Sequence, residues 1–100
     1  VIILPISDKY QIYTEKVLHL LEKSEIRALV DNRSEKTGRK IRDAEVSKIP
    51  FMLIVGEKEE NEGTVSVRKH GAGDIGTFSI EEFISLIKEE INKTVIEFKN

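Results

Sequence analysis

At 100 residues, with 39% hydrophobic and 34% charged side chains and a net charge of −2, the chain has the size and composition of one folded domain, not of a disordered segment. Its apolar runs fall short of the ~18–20 residues needed to span a bilayer, and no stretch has the pattern of a secretory signal. The absence of cysteine excludes disulfides, thiolate metal sites and a cysteine nucleophile within these residues, and is compatible with a cytosolic setting. The two histidines, His19 and His70, stand too far apart for metal-ligand spacing.

Residues 1–6, "VIILPI", are apolar and predict a buried strand. The run starts without a methionine and goes straight into core-like sequence, so the chain is expected to be a fragment of a longer protein, with residues 1–100 as one domain. "SDKY" supplies a helix start with Ser7 or Asp8 as N-cap. Tyr10, Tyr13, Val17, Leu20 and Leu21 then form one apolar stripe of a helix ending near Ser24. A second strand is expected over 26–30.

The next ten residues, "DNRSEKTGRK", contain no apolar side chain. Residues 37–48 predict a second helix with a weak stripe (Ile41, Ala44), stopped by Pro50. "FMLIVG", 51–56, fits a central buried strand. "EKEENEG" reads as a polar turn, "TVSVR" as an alternating strand, "KHGAGD" as a glycine-rich loop and "IGTF" as a weak edge strand at best. "SIEE" is a capping box, Ser79 with Glu82. It opens a last helix whose stripe is Phe83, Ile84, Ile87, Ile91 and Val95. Strands alternating with helices in the first half imply right-handed crossovers and a parallel sheet, to which the second half adds antiparallel strands. The result is an α/β fold with a mixed sheet of four or five strands and helices on both faces.

Charge is unevenly placed. Residues 33–48 carry six basic side chains (Arg33, Lys36, Arg39, Lys40, Arg42, Lys48) against three acidic ones, a net +3, while the remainder carries ten against fifteen, a net −5. On composition alone this is a charged, solvated helix surface. Its position suggests more, because ligands of open α/β sheets bind beyond the carboxyl ends of the strands. Glu59, Lys36 and the start of the basic helix are expected on one rim, with Arg68 approaching the same side. A carboxylate among cations suits a nucleobase as well as a phosphate.

Enzyme signatures are missing. No G-x-G-x-x-G follows the first strand, and "KTGRK" has the wrong order and spacing for a phosphate loop. "GAGDIG" follows a strand of the wrong half. Asp8 stands alone as an acid after the first strand and reads as a helix cap. No nucleophile–base set and no metal cluster is evident.

The runs "ILPIS", "IRALVDNRSEKTGRKIRDAE", "IPFMLIVGEKEENEGTVSVR" and "GDIGTFSIEEFI" resemble, over nearly the whole chain, the C-terminal anticodon-binding domain of the threonyl-tRNA synthetase family. Prolyl-, histidyl- and glycyl-tRNA synthetases share that fold, as do synthetase-like adaptors that mediate protein contact. The resemblance implies a five-stranded mixed sheet with three flanking helices. It implies binding of the anticodon loop of threonine tRNA, with the second and third bases, G and U, read and the first left unread. It implies that Glu59 accepts hydrogen bonds from G, that Arg68 contacts the same base or its neighbour, that Ser34 and Lys36 hold U, and that Arg33, Arg39 and Arg42 are backbone candidates. No catalytic residue is expected here; ATP, magnesium and zinc would serve the parent, a cytoplasmic homodimeric ligase of protein biosynthesis, and the isolated domain would be a monomer. Two positions depart from the family pattern. Ser34 stands where an asparagine is common, and its hydroxyl lacks the paired donor and acceptor of an amide. Glu25 stands where glycine is frequent, at a cost on the order of 1 kcal/mol if φ is positive there.

Overall fold

The structure is a computed structural model that describes the backbone of residues 1–99 and the side chains of residues 1–90. Strand β1 (Ile2–Pro5) leads through a 3-10 turn (Asp8–Tyr10) into α1 (Gln11–Lys23). Then come β2 (Leu29–Val30), α2 (Thr37–Val46), β3 (Phe51–Val55), α3 (Glu57–Glu62), β4 (Thr64–Lys69), β5 (Gly73–Ser79) and α4 (Ile80–Lys99). The five strands form one sheet in the order β2-β1-β3-β4-β5. Strand β1 is parallel to β2 and β3, whereas β4 and β5 are antiparallel additions. The expected five-stranded mixed sheet is thus observed.

Period-two alternation divides the core. Ile3, Phe51, Leu53, Val55, Val65 and Val67 face α1 and α4, where they pack on Tyr13, Val17, Leu21, Ile80, Phe83 and Ile87. The Phe51 and Phe83 rings meet edge to face, 5.6 Å between centroids. Leu4 and Met52 face the other way, against Ala44 of α2. The expected stripe residues Ile91 and Val95 lie outside the residues whose side chains are described. None of the described helices is long and apolar enough to cross a membrane.

Four local readings are corrected. "EKEENEG" is not a turn but the additional helix α3, so four α-helices flank the sheet instead of three. Its first turn carries Glu57, Glu59 and Glu60, which suit the positive end of a helix, and Gly63 ends it at φ 69°. "IGTF" belongs to a full seven-residue strand, β5. Its glycines and a register shift at Val67/Arg68 weaken the strand signal without preventing pairing. The second strand is only Leu29–Val30, because the Ile26 N–H bonds back to the Leu21 carbonyl at 2.9 Å. Helix α2 stops at Val46, ahead of Lys48, by the same device: the Ile49 N–H bonds to the Ala44 carbonyl at 3.1 Å.

Both helix ends are Schellman turns whose left-handed residue is not glycine: Glu25 at φ 64° and Lys48 at φ 59°. The capping box forms as expected. The Glu82 N–H donates to Ser79 Oγ at 3.1 Å, and the Ser79 N–H donates to Glu82 Oε1 at 3.0 Å. The backbone bond from Ser79 is the main reason the Glu82 carboxyl sits below its usual range.

Two stability predictions follow from these contacts. Glu25→Gly and Lys48→Gly should each stabilise the fold by up to about 1 kcal/mol, additively, in urea titrations. Tyr13 joins α1 to β4 through an O–H···O bond to the Thr64 carbonyl at 2.6 Å. Burial, helped by Glu59, Glu60 and Glu81, pushes its pKa up to about 12. The unfolded tyrosine ionises first, near 10, so wild-type stability should fall as pH rises from about 10 to about 12. Tyr13→Phe should lack that decline, while losing about 1 kcal/mol at neutral pH.

Candidate functional site

Two features meet at the carboxyl end of β1 and β3, a cavity and a half-covered sheet face. The first is a cavity of about 720 Å³ between the exits of β1 and β2. Ile6, Ser7, Asp8 and Gln11 line it from one side, and Asn32, Arg33, Ser34, Glu35 and Lys36 from the other. Lys40 forms part of its wall and is only 4% exposed. Its ammonium donates to the Pro5 carbonyl at 3.0 Å and the Asp31 carbonyl at 3.2 Å, tying the ends of β1 and β2 to the first turn of α2. Lys36 is the N-cap residue of α2, and its side chain makes no capping bond. The free N–H groups of that turn therefore add a positive end to the cavity. Among the described residues no carboxylate lies within ion-pair distance of Lys36.

The second feature is the half of the sheet that α2 leaves uncovered, where Ser66 and Arg68 are half-buried and Thr77 is exposed. Helix α2 covers β1 and β3 through Leu4, Met52, Ile2 and Ile54. Beyond it, the same face of β4 and β5 presents Ser66, Arg68 and Thr77 by alternation and register. Glu59, 9% exposed, closes the end of this face near the rim. Its Oε1 accepts the Gly56 N–H at 2.8 Å, and its Oε2 accepts the Ser66 hydroxyl at 3.2 Å. A carboxylate has about four lone-pair sites, so two remain. Arg68 lies two residues beyond Ser66, about 7 Å along the strand, and its buried Nε has no hydrogen-bond partner. At the far end, His70 Nδ1 and Glu45 Oε2 approach to 2.8 Å, joining the β4–β5 turn to α2.

The expected site residues therefore fall into two groups. Ser34 and Lys36 line the cavity, while Glu59 and Arg68 share the open sheet face; the expectation that Arg68 approaches the rim is corrected, because β4 runs antiparallel to β3 and sets Arg68 opposite Met52, near the amino end of β3. Arg33 does not offer a free cation: its guanidinium pairs with Asp31 at 2.8 Å and Asp43 at 2.9 Å. Those bonds hold it even more firmly protonated, and the side-chain bond from Arg33 keeps the Asp31 carboxyl below its usual range. Arg39 is exposed and has one long contact, 3.9 Å, to Glu35. Arg42 is exposed on α2. Sequence reading missed Asp8, Gln11 and Asn32 as cavity walls, the tie made by Lys40, and the Ser66 bond to Glu59. The period-two pattern that placed Val65 and Val67 inside also marked Ser66 as facing the other way; the helical position of Lys40 carried no such signal.

Comparison with known proteins agrees with this architecture. A family profile described as "Anticodon binding domain" matches residues 1–90. The chain belongs to the family of anticodon-binding domains. It is 62% identical over 99 residues to a threonine–tRNA ligase of Flavobacterium johnsoniae, covering 97% of this chain and 15% of that protein. It is 56% identical over 95 residues to the Bacteroides fragilis threonine–tRNA ligase, covering 95% and 15% respectively. The chain thus spans about one seventh of the length of these relatives. Among solved structures it resembles the RNA binding domain of threonyl-tRNA synthetase from Cryptosporidium parvum, with a TM-score of 0.82 and 22% identity. That match covers 88% of this chain and 22% of the other, and its identity speaks for the fold alone.

The Lys40 tie is testable by itself. Lys40→Met should lower stability by about 2 kcal/mol, the loss of two charge-assisted bonds. It should also make the loop at residues 31–36 more open to limited proteolysis. Unchanged cleavage there would show that the ammonium does not hold the loop.

Proposed function

We propose that this chain is the anticodon-recognition module of a threonine–tRNA ligase, reading the second and third anticodon bases, G and U, of threonine tRNA. The observation that carries the reading is the cavity beside a half-covered sheet face. One offers a buried carboxylate and an arginine with an unpartnered Nε on an open sheet face, and the other offers Lys36 and Ser34 beside the free N–H groups of α2. Carboxylate oxygens accept from the N–H groups of guanine, and arginine donates to acceptors on the same base. The cavity supplies donors for uracil carbonyls, with Lys36 as the leading cation and Ser34 as a shorter partner than an amide.

The residues divide the work by chemistry. Glu59 is held by Gly56 and Ser66, so its free lone pairs are aimed before RNA arrives. Arg39 and Arg42, exposed on α2, provide sequence-independent attraction to phosphates; Arg33 serves first as an internal brace. The parent enzyme would be an ATP-dependent, cytoplasmic homodimer using magnesium and zinc outside these residues. This domain performs no chemistry and is a monomer when isolated.

The test is a titration of labelled anticodon stem-loops. Wild type should prefer a loop with G and U at the second and third positions over one with the G replaced. Glu59→Gln should reduce that preference about tenfold while weakening total binding less. Arg39→Ala should weaken all loops alike and flatten the salt dependence by about one ion. Equal affinity of wild type for both loops would sink the proposal.

A further inference from the structure

Helix α2 covers β1 and β3, and beyond its cover the same face carries the stripe Thr64, Ser66 and Arg68 of β4. Their neighbours on β5 are Ser79 for Thr64 and Thr77 for Ser66. Among the described residues, two buried side-chain atoms lack a hydrogen-bond partner, Thr64 Oγ1 and Arg68 Nε. Both belong to this stripe, one on each side of Ser66. Buried polar atoms are as a rule bonded, so two orphans on one strand face mark a surface that folding alone leaves unfinished. Between them stand two hydroxyls of unequal kind. Ser66 gives its proton to Glu59 Oε2 at 3.2 Å and keeps lone pairs that can accept. Thr77 is exposed, and its Oγ1 lies 3.5 Å from Ser66 Oγ, too far for a firm O–H···O bond, so its proton is available.

We propose that the Ser66–Thr77 hydroxyl pair binds the ribose 2′-hydroxyl of the nucleotide whose base meets Glu59, so that the open sheet face reads the sugar as well as the base. The inference rests on the anticodon reading above and adds a contact to it. An acceptor and a donor 3.5 Å apart suit a group that donates and accepts at once. A phosphate only accepts, and would leave the Ser66 lone pairs unmet. A base edge combines donors and acceptors, but under the reading above that edge is taken by Glu59. A hydroxyl does both, and the 2′-hydroxyl is the one that RNA carries and DNA lacks. Steps of 3.2 and 3.5 Å lead from Glu59 Oε2 through Ser66 Oγ to Thr77 Oγ1, which keeps both ends within the span of a single nucleotide. Ser66 holds Glu59 and receives the sugar, so one side chain locates base and ribose together.

The experiment measures binding of wild type, Thr77→Val and Thr77→Ser to a stem-loop with G and U at the second and third anticodon positions. The loop is all ribose, or carries one 2′-fluoro sugar at each anticodon position in turn. Fluorine keeps the RNA sugar pucker but cannot donate a hydrogen bond. Wild type should lose about fivefold when the second position is fluorinated, the worth of a hydrogen bond, and less than about twofold at the first position. Thr77→Val should lose about fivefold on the all-ribose loop and less than about twofold more when the second position is fluorinated. Thr77→Ser, which keeps the hydroxyl, should bind within about twofold of wild type. The slope of affinity against salt should stay unchanged in all three proteins, since no charge is altered. Wild type that tolerates fluorine at every anticodon position, or fluorine and Thr77→Val penalties that simply multiply, overturns the proposal. Coupling of Thr77 to the third position alone overturns the placement beside Glu59. The two readings fail separately. Wild type that ignores the identity of the second base defeats the anticodon assignment, whereas wild type that discriminates that base without coupling Thr77 to any ribose defeats only the sugar contact. Thermal melts of the three proteins should coincide, since Thr77 is exposed and valine suits a strand.

Discussion

A single buried ammonium organises the end of the sheet where the cavity lies. Lys40 reaches from the first turn of α2 to the last carbonyl of β1 and the first carbonyl after β2. Two parallel strands leave their carboxyl ends with acceptors that no neighbouring strand satisfies, and a cation bonded to both of them offsets its own burial. The tie fixes where α2 begins. That placement sets the start of α2 beside the cavity, with Ser34 and Lys36 in its lining. The same helix, running back over β1 and β3, determines how much of the sheet is left uncovered.

That partial coverage leaves the domain an open sheet face beside the cavity. A sheet of five strands has more area on this face than a ten-residue helix can hide. The uncovered part, β4 and β5, accordingly carries Ser66, Arg68 and Thr77 where β1 and β3 carry Leu4 and Met52. Glu59 sits at the seam and has two duties. It caps α3 through Gly56 and accepts from Ser66, so the folding role and the proposed recognition role share one carboxylate. A side chain already oriented by the fold loses little entropy on meeting a ligand.

The basic segment changes meaning in three dimensions. By composition, residues 33–48 form one positive block. In the fold, Arg33 is absorbed by Asp31 and Asp43, and Lys40 by two backbone carbonyls. Lys36, Arg39, Arg42 and Lys48 remain as outward cations. Net charge therefore overstates the field available to a ligand, because it cannot distinguish a cation that braces a loop from one that faces solvent.

By itself the sequence determined the order of β1 to β4 with α1, α2 and α4, the two-sided burial of "FMLIVG", the Ser79–Glu82 cap and the family, since these rest on local periodicity, short-range capping and extended motif similarity. It misjudged segments whose signal depends on partners distant in the chain. Residues 57–62 become a helix because Glu59 finds Gly56 and Ser66, and Gly73–Ser79 becomes a strand because β4 pairs with it despite the glycines. It named Ser34, Lys36, Glu59 and Arg68 but not their division between a cavity and an open sheet face. Only the tertiary structure decided which basic side chains are free, that Arg68 lies near the amino end of β3 and away from the rim, and that Ile6 stands between the cavity and Gly56. Those facts depend on register and on the approach of residues such as Ile6 and Gly56, fifty positions apart, and no local pattern records such distances.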